Sequence, residues 1–331
     1  MTQSTPQLSF VSADAVRDVL NWKAVIDGLK AAYSLPHGPR VSPPRTLALE
    51  DKSWLRSLIA IPPGARFMGG KLFGAGASPA FNYLITLAEQ DTGAIRAFVD
   101  GAFVTSFRTA STSAAALDHI ADDEPLTLGL IGSGQEAMAH AQAINAIRPI
   151  REVRVYSPTP ASRERFAKTF TDETGVPVVP CATPQDAVRP ATVVVAAARS
   201  RDESPILYGD WLDNAKVVVS IGSTVPSQRE IDVSVVDACD FIVCDVLEEV
   251  LHETGDMIAA REAGLEFDHK AVSLNALLMG QAEDQLKAAK LPMFKSVGAG
   301  IQDVVCAEMV YRLAEEAGKL IPLPIEFYTK S

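Results

Sequence analysis

The feature that most constrains the fold of this chain is an alternation that begins at Leu126. The stretch LTLGLIGSGQEAMAHAQAI runs from an apolar strand through a glycine turn into a helical pattern. Beyond it, EVRVYS, PVVPC, TVVVAAA, KVVVSIG and DFIVCD read as further apolar strands, with ASRERFAKTFTDET and PQDAVR as helical segments among them. Strands this apolar, alternating with helices, specify a parallel sheet covered on both faces. Between the first strand and the first helix, Gly132, Gly134 and Ala137 form G-x-G-x-x-A. The first glycine permits a tight turn, the second lets the backbone approach a pyrophosphate, and the small third residue lets helix and strand pack closely. The free N–H groups of the helix start then point at the anion. Gly132, Ser133, Gly134, Gln135 and Ala137 are therefore expected to bind a dinucleotide.

The end of the second strand bears on which dinucleotide. NAD sites usually place an acid there to bind the ribose hydroxyls. Here VRVYSPTPASRER has none; Ser157, Thr159, Ser162, Arg163 and Arg165 stand in that region. Hydroxyls and an arginine suit a 2'-phosphate, so NADPH is expected, with NADH as the alternative. The same residues also read as a helix cap and its solvated face.

The first 122 residues have a different texture. Apolar spacing over 13–34 predicts one or two amphipathic helices, and the proline-rich PHGPRVSPPR at 36–45 a loop or extended segment. Between Leu47 and Val104, short apolar runs separated by Gly, Pro, Asn and Asp predict mostly antiparallel strands. Residues 105–121, TSFRTASTSAAALDHIA, read as a helix capped near Thr105. DDEP at 122–125 is the expected boundary, and GIQDVVCAEMVYRLAEEAGK near the end reads as a long amphipathic helix outside the dinucleotide domain.

The formal net charge of -11 argues against nucleic acid and anionic membranes as partners. An anion site in such a chain must be a local cluster of basic residues. Three basic residues stand in surroundings that suit one. Arg45 follows two prolines, Lys71 lies between FMGG and LFG, and Arg108 sits near the front of a small, apolar helix. Singly each reads as a solvated or ion-paired side chain; together they could clamp a carboxylate, which Arg binds in bidentate fashion. Lys71 within a strand is costly unless paired. Cys181, Cys239, Cys244 and Cys306 form no CxxC pair and have no His at ligand spacing, so buried reduced thiols and no metal are expected. Met1 is followed by TQSTPQ and not by a signal pattern, and no apolar run reaches spanning length; a cytoplasmic enzyme is expected.

PPRTLAL, MGGKLFGAG, LAEQDTGAIRAFVDG, VTSFRTASTSAAALDHIA, LGLIGSGQEA, VVVSIGSTVPSQREID and FKSVGAGIQDVVCAEMVYRLA occur in the order and spacing of the ornithine cyclodeaminase/mu-crystallin family. The resemblance covers nearly the whole chain. It implies an α/β fold: a Rossmann doubly wound parallel sheet over 123–303, plus an α+β substrate and dimerisation domain made of 1–122 with 304–331. It implies a homodimer acting on a small amino or imino acid. Arg45, Lys71 and Arg108 match the family's substrate-binding basic residues; two would hold the carboxylate, and Lys71 would face the reacting carbon or relay a proton. A lysine there would have a lowered pKa, as acid or base work near neutrality needs. The expected cofactor set then also takes in Ala197, Ser223, Val297 and Gly298.

One position departs from the family pattern. Cyclodeaminases carry an Asp in the loop after the fifth strand. In GSTVPSQREID that position is Thr224, whose hydroxyl can neither act as a carboxylate base nor neutralise a distal ammonium. The expected reaction is therefore reduction of a C=N bond next to a carboxylate, or the reverse amino acid dehydrogenation, with Thr224 at most hydrogen-bonding the substrate. An ammonia-releasing cyclodeaminase with bound NAD+ is the alternative, and a non-catalytic cofactor-binding protein ranks last. The loop 72–82, LFGAGASPAFN, has no acid for a distal amine, which points the same way. Asp303, near Gly298 and Gly300, could orient a pocket group but reads more readily as a helix-start carboxylate. His119 and His140 read as structural.

Overall fold

The computed structural model describes residues 7–76 and 82–327; positions 77–81 of the 72–82 loop, and residues 1–6, lie outside the described residues. β1 (Ser9–Val11) opens the chain. The helical pattern over 13–34 forms two helices, α1 (Ala13–Val19) and α2 (Trp22–Tyr33). Each starts at a side-chain cap, with Ser12 accepting from Ala15 N and Asn21 from Ala24 N. The apolar runs then give β2 (Thr46–Glu50), β3 (Ser53–Ala60), β4 (Phe67–Ala75), β5 (Tyr83–Glu89) and β6 (Ile95–Asp100). α3 (Gly101–Ile120) follows directly. Its expected start at Thr105 is corrected by a full turn: Asp100 Oδ1 accepts from Ala102 N, and the Thr105 hydroxyl donates back to Gly101 O inside the helix.

The alternation from Leu126 onward forms β7 (Leu126–Ile131), α4 (Gln135–Asn145), β8 (Ile150–Tyr156), α5 (Pro160–Thr174), β9 (Val178–Pro180), α6 (Pro184–Val188), β10 (Val193–Ala196), β11 (Val217–Ser220), α7 (Val233–Ala238) and β12 (Phe241–Cys244). Next come α8 (Leu247–Glu253), α9 (Gly255–Glu262), β13 (Ala271–Ser273), α10 (Leu274–Leu278), α11 (Glu283–Ala288) and β14 (Pro292–Lys295). α12 (Gly300–Glu316) and β15 (Ile321–Pro322) end the described chain.

Two compact units result, Met1–Arg108 with Ala299–Ser331 and Thr109–Gly298, so the division falls inside α3. In the first unit the strands lie in the order β15-β1-β6-β5-β4-β3-β2, with β1 parallel to β6 and the other pairs antiparallel. Register sets one row across the sheet: Leu58 opposite Lys71, Lys71 opposite Ile85, Ile85 opposite Val99. All four are buried, so a lysine stands in the middle of an apolar row. α12 packs on α2 and over β3, β4 and β5. It starts close enough to β3 that a Cβ on Gly300 would lie 2.3 Å from Ile59 O, which only glycine avoids. Five residues after Asp303, the Glu308 carboxylate accepts from Arg66 N and Phe67 N, which fixes the helix along β4.

In the second unit the sheet order is β13-β12-β14-β11-β10-β7-β8-β9, every pair parallel. β7 is followed on one side by β8 and β9 and on the other by β10 and β11. The order therefore reverses at the carboxyl end of β7, the crevice where doubly wound sheets bind ligands. Two strands, β13 and β14, go beyond the six read from the sequence. They have three and four residues, too short for a period to show, and β14 opens on a proline and closes on a lysine. The core strands are uniformly apolar, with Val193–Ala196 and Val217–Val219 all buried.

Candidate functional site

Lys71 is 2% exposed. Its Nζ donates to Asp303 Oδ1 at 2.8 Å and to Thr105 Oγ1 at 3.3 Å. Arg108, one turn beyond Thr105 on α3, donates from Nε to the same Asp303 Oδ1 at 3.0 Å and from Nη1 to Gln302 Oε1 at 2.9 Å. Gln302 in turn donates to the Tyr33 hydroxyl on α2. Consecutive residues of α12 thus grip Arg108, and one carboxylate oxygen joins Lys71 to Arg108. Asp303 does stand in the first turn of α12, and it is also fully buried between two cations, which suits the other reading, a group that orients its neighbours. The chain separation of 232 residues between Lys71 and Asp303 hid the pair.

Burial drives the Lys71 ammonium from its ordinary 10.5 down to about 8; Asp303 opposes the drop, while the charges of Arg108 and Arg45 add to it. Arg45, half-buried just before β2, is thus within electrostatic reach, and the three basic residues read as a clamp do gather in one unit. The Lys71 Nζ also lies 5.2 Å and 5.4 Å from the Phe73 and Tyr83 ring centres, which gives the cation an aromatic wall.

In the second unit the glycine turn has the form a pyrophosphate needs. Gly132 adopts φ +117°, and a Cβ there would lie 2.8 Å from Ala197 O, so expected cofactor residue Ala197 is the wall against which the turn closes. α4 begins at Gln135 with Gly134 as its N-cap and no side chain capping it; a Cβ on Gly134 would meet nothing within 4 Å. Open space thus faces uncapped N–H groups at a helix start. Ala137, fully buried, packs the helix on the sheet. The Ser133 hydroxyl donates to the Ser157 hydroxyl at 2.8 Å, and Arg163 Nη1 donates to Ser157 O. Thr159 is the N-cap of α5, yet its side chain makes no cap bond. Ser133, Ser157 and Arg163 are thus linked to one another, Gly132 closes on Ala197, and no acid ends β8. We expect Gly132→Ala to cost about 1–3 kcal/mol of strain and to weaken cofactor binding about tenfold or more; fluorescence titration and thermal melts read the two effects separately.

The loop after β11 is built from inside. Glu230, fully buried, accepts at Oε2 from Ser220 Oγ, Ile221 N and Gly222 N, and at Oε1 from Ala198 N. Lys295 donates to Ser220 Oγ at 2.8 Å and to Asp256 Oδ2 at 2.9 Å. Thr224 donates from N and Oγ1 to Gln228 Oε1, both at 3.0 Å, and the Ser223 hydroxyl donates to Gln228 O. The amides of Val297 and Gly298 donate to Asp245. These carboxylates shape the loops that carry Ser223, Thr224, Val297 and Gly298. Of the group, only the R-E-I-D segment stands out in the sequence. His140 is held between Glu136 O and Ser113 Oγ, a structural role.

A model of the ornithine cyclodeaminase/mu-crystallin family matches residues 69–318. The chain is 27% identical to a Delta(1)-pyrroline-2-carboxylate reductase of Bacillus cereus over 72% of each sequence. It is 27% identical to the ketimine reductase mu-crystallin of Rattus norvegicus over 92% of this chain and 96% of that one. Among solved structures, a probable ornithine cyclodeaminase from Bordetella pertussis Tohama I superposes with a TM-score of 0.83 at 28% identity, covering 96% of this chain and 100% of that one.

Proposed function

Because the chain belongs to the ornithine cyclodeaminase/mu-crystallin family, we propose that it is a nicotinamide-dependent reductase of a cyclic imino acid or other ketimine, able to run in reverse as an amino acid dehydrogenase. One observation carries the reading: Lys71, buried in an apolar sheet row and paired with Asp303, stands beside Arg108 and within electrostatic reach of Arg45. A carboxylate-bearing substrate suits that cluster. Arg108 and Arg45 hold its carboxylate, and Lys71 delivers the proton that the nitrogen needs when C=N becomes CH–NH. A lysine that exchanges its proton near pH 8 suits that task.

The cofactor is held at the turn by Gly132, Ser133, Gly134 and the start of α4, with Ala197 behind it. When bound, a reduced nicotinamide supplies hydride to the imine carbon. Ser157, Thr159 and Arg163, in place of an acid at the end of β8, favour NADPH over NADH. Thr224 argues against the cyclising lyase, since its hydroxyl is engaged with Gln228 and the Glu230 carboxylate in the same loop turns inward to backbone amides.

The protein acts as a homodimer in this reading. One face of the first unit's sheet leaves Leu55, Ile59, Leu72 and Leu84 between 39% and 57% exposed on adjacent strands, a patch of the kind that marks an interface. Leu72→Asp is expected to convert a dimer to a monomer in sedimentation velocity; a wild-type monomer sinks this part. Four buried free cysteines suit a reducing cytoplasm, and no described helix is long and apolar enough to cross a membrane.

The deciding experiment is an activity panel. With pyrroline- and piperideine-2-carboxylate, the protein should oxidise NADPH faster than NADH at equal concentration. Ornithine should release no ammonia. Ammonia without net cofactor turnover would establish the lyase instead, and cofactor binding without any turnover would establish a non-catalytic binder.

A further inference from the structure

The carboxylate that joins the basic residues of the first unit comes from α12. Asp303 uses one oxygen, Oδ1, for both Lys71 at 2.8 Å and Arg108 at 3.0 Å. Its other oxygen, Oδ2, is buried and has no donor among the described residues. Stability alone does not account for this arrangement. A buried acceptor left without a donor costs about 1–3 kcal/mol, and exchanging a buried ionic cluster for apolar side chains of similar volume is often neutral or stabilising. The cluster therefore points to a task in the reaction. Oδ1 is bound to both Lys71 and Arg108, so that task is performed through these two neighbours.

We propose that Asp303 is the positioning residue of this site: through Oδ1 it keeps the Lys71 ammonium charged beside a second cation and fixes the plane in which the Arg108 guanidinium meets a carboxylate. The proposal rests on reading Lys71 as the proton donor. The charged and titratable groups around Lys71 come from several elements: Arg45 before β2, Tyr83 on β5, Arg108 on α3, and Asp303 and Cys306 on α12. Tyr33 on α2 reaches the cluster through Gln302. Two arginines push the lysine to release its proton, and burial does so more strongly. Cys306 supplies no counter-charge, because burial first and then Asp303 push its thiol up to about 12. Asp303 alone among these groups is placed to hold the proton on Lys71. The shared atom also has a geometric effect. Arg108 is anchored at Nε by Asp303 and at Nη1 by Gln302, so its planar fork cannot turn while both bonds stand.

The test reads Lys71 itself, in the full-length protein without substrate. Lysine labelled with 13C at Cε is titrated by NMR, and the Lys71 resonance is assigned by its loss in Lys71→Arg. In the wild type it should titrate near 8. In Asp303→Asn it should titrate about one pH unit lower or more, and Asp303→Glu, which keeps the anion, should recover most of that drop. In Arg108→Gln the resonance should move the other way, to higher pH, because the competing cation is gone and Oδ1 serves Lys71 alone. The falling limb of kcat/KM at high pH should follow each shift. An unchanged Lys71 titration in Asp303→Asn overturns the proposal. If that variant does not fold, Arg108→Gln decides by direction, and a fall or no change there overturns it. Failure of every imine in the activity panel would remove the proposed reaction but leave this titration fully readable.

Discussion

Lys71→Ala is expected to lower kcat by about 100- to 10,000-fold, the usual span for losing a positioned proton donor, while cofactor affinity stays near the wild-type value. Lys71 lies on β4 in the first unit, whereas the glycine turn proposed to hold the cofactor is in the second, so the two losses should separate. Steady-state kinetics with a cyclic imino acid, beside a fluorescence titration with NADPH, check this; equal losses in both would sink the assignment. The wild type should also report Lys71 through pH. With the ammonium titrating at about 8, kcat/KM should hold level below that pH and fall above it. Stability has the opposite slope. The unfolded lysine keeps its proton up to its ordinary 10.5, so between about pH 8 and 10.5 the unfolded chain binds more protons than the folded one. Stability contributed by this residue therefore rises with pH across that window. The drop corresponds to roughly 3 kcal/mol. Denaturant melts of wild type and Lys71→Ala should differ in slope by this amount over the window; parallel curves would mean that Lys71 is not held as a buried cation.

The parts of this design that were legible in the chain are those whose physics is local. The turn at Gly132 is read from the three positions Gly132, Gly134 and Ala137, because positive φ, backbone approach and a helix start all fall within one short segment. Lys71 is legible for a different reason. A lysine flanked by FMGG and LFG stands out, since an unpaired charge in a strand core is expensive. Its partner was not legible, because Asp303 looks like any acid near a helix start until α12 is laid along β4. The start of α3 was misplaced by one turn because Thr105 resembles a cap, whereas Asp100, the last residue of β6, caps the helix from its own strand. β14 escaped notice because a short Pro-to-Lys segment shows no period. Its closing residue, Lys295, is nevertheless fully buried and bound to Asp256, which no spacing rule announces.

The second large effect should come from Glu230, which touches neither the glycine turn nor Lys71. Its carboxylate accepts from the amides of Ala198, Ile221 and Gly222 and from the Ser220 hydroxyl, and Ser220 passes the contact on to Lys295. Glu230→Ala takes the acceptor from the part-buried amides of Ala198 and Gly222, leaves Ile221 N only its bond to Ala196 O, and leaves the Lys295–Asp256 pair with less counter-charge. Breaking such a network costs about 3–5 kcal/mol, or roughly 10 °C in Tm at the usual 2–4 °C per kcal/mol for larger domains. A calorimetric scan reads it; a change within 1–2 °C, as for an ordinary surface site, would show that the network carries no stability. Glu230→Gln separates charge from shape. Burial pushes the wild-type carboxyl up to about 7, against the pull of Lys295 and the donors around it. Between its ordinary 4.5 and about 7, the folded chain thus binds more protons than the unfolded one, and the stability due to Glu230 falls as pH rises through that window. Glu230→Gln cannot take part in that titration. Its cost relative to wild type should therefore be larger near pH 5 than above pH 7, and urea melts at the two pH values decide it. Activity should follow stability here because the same carboxylate holds the loop that presents Ser223 and Thr224. A Glu230→Gln protein that melts normally at pH 7 yet has lost turnover would move Glu230 from the scaffold into the chemistry.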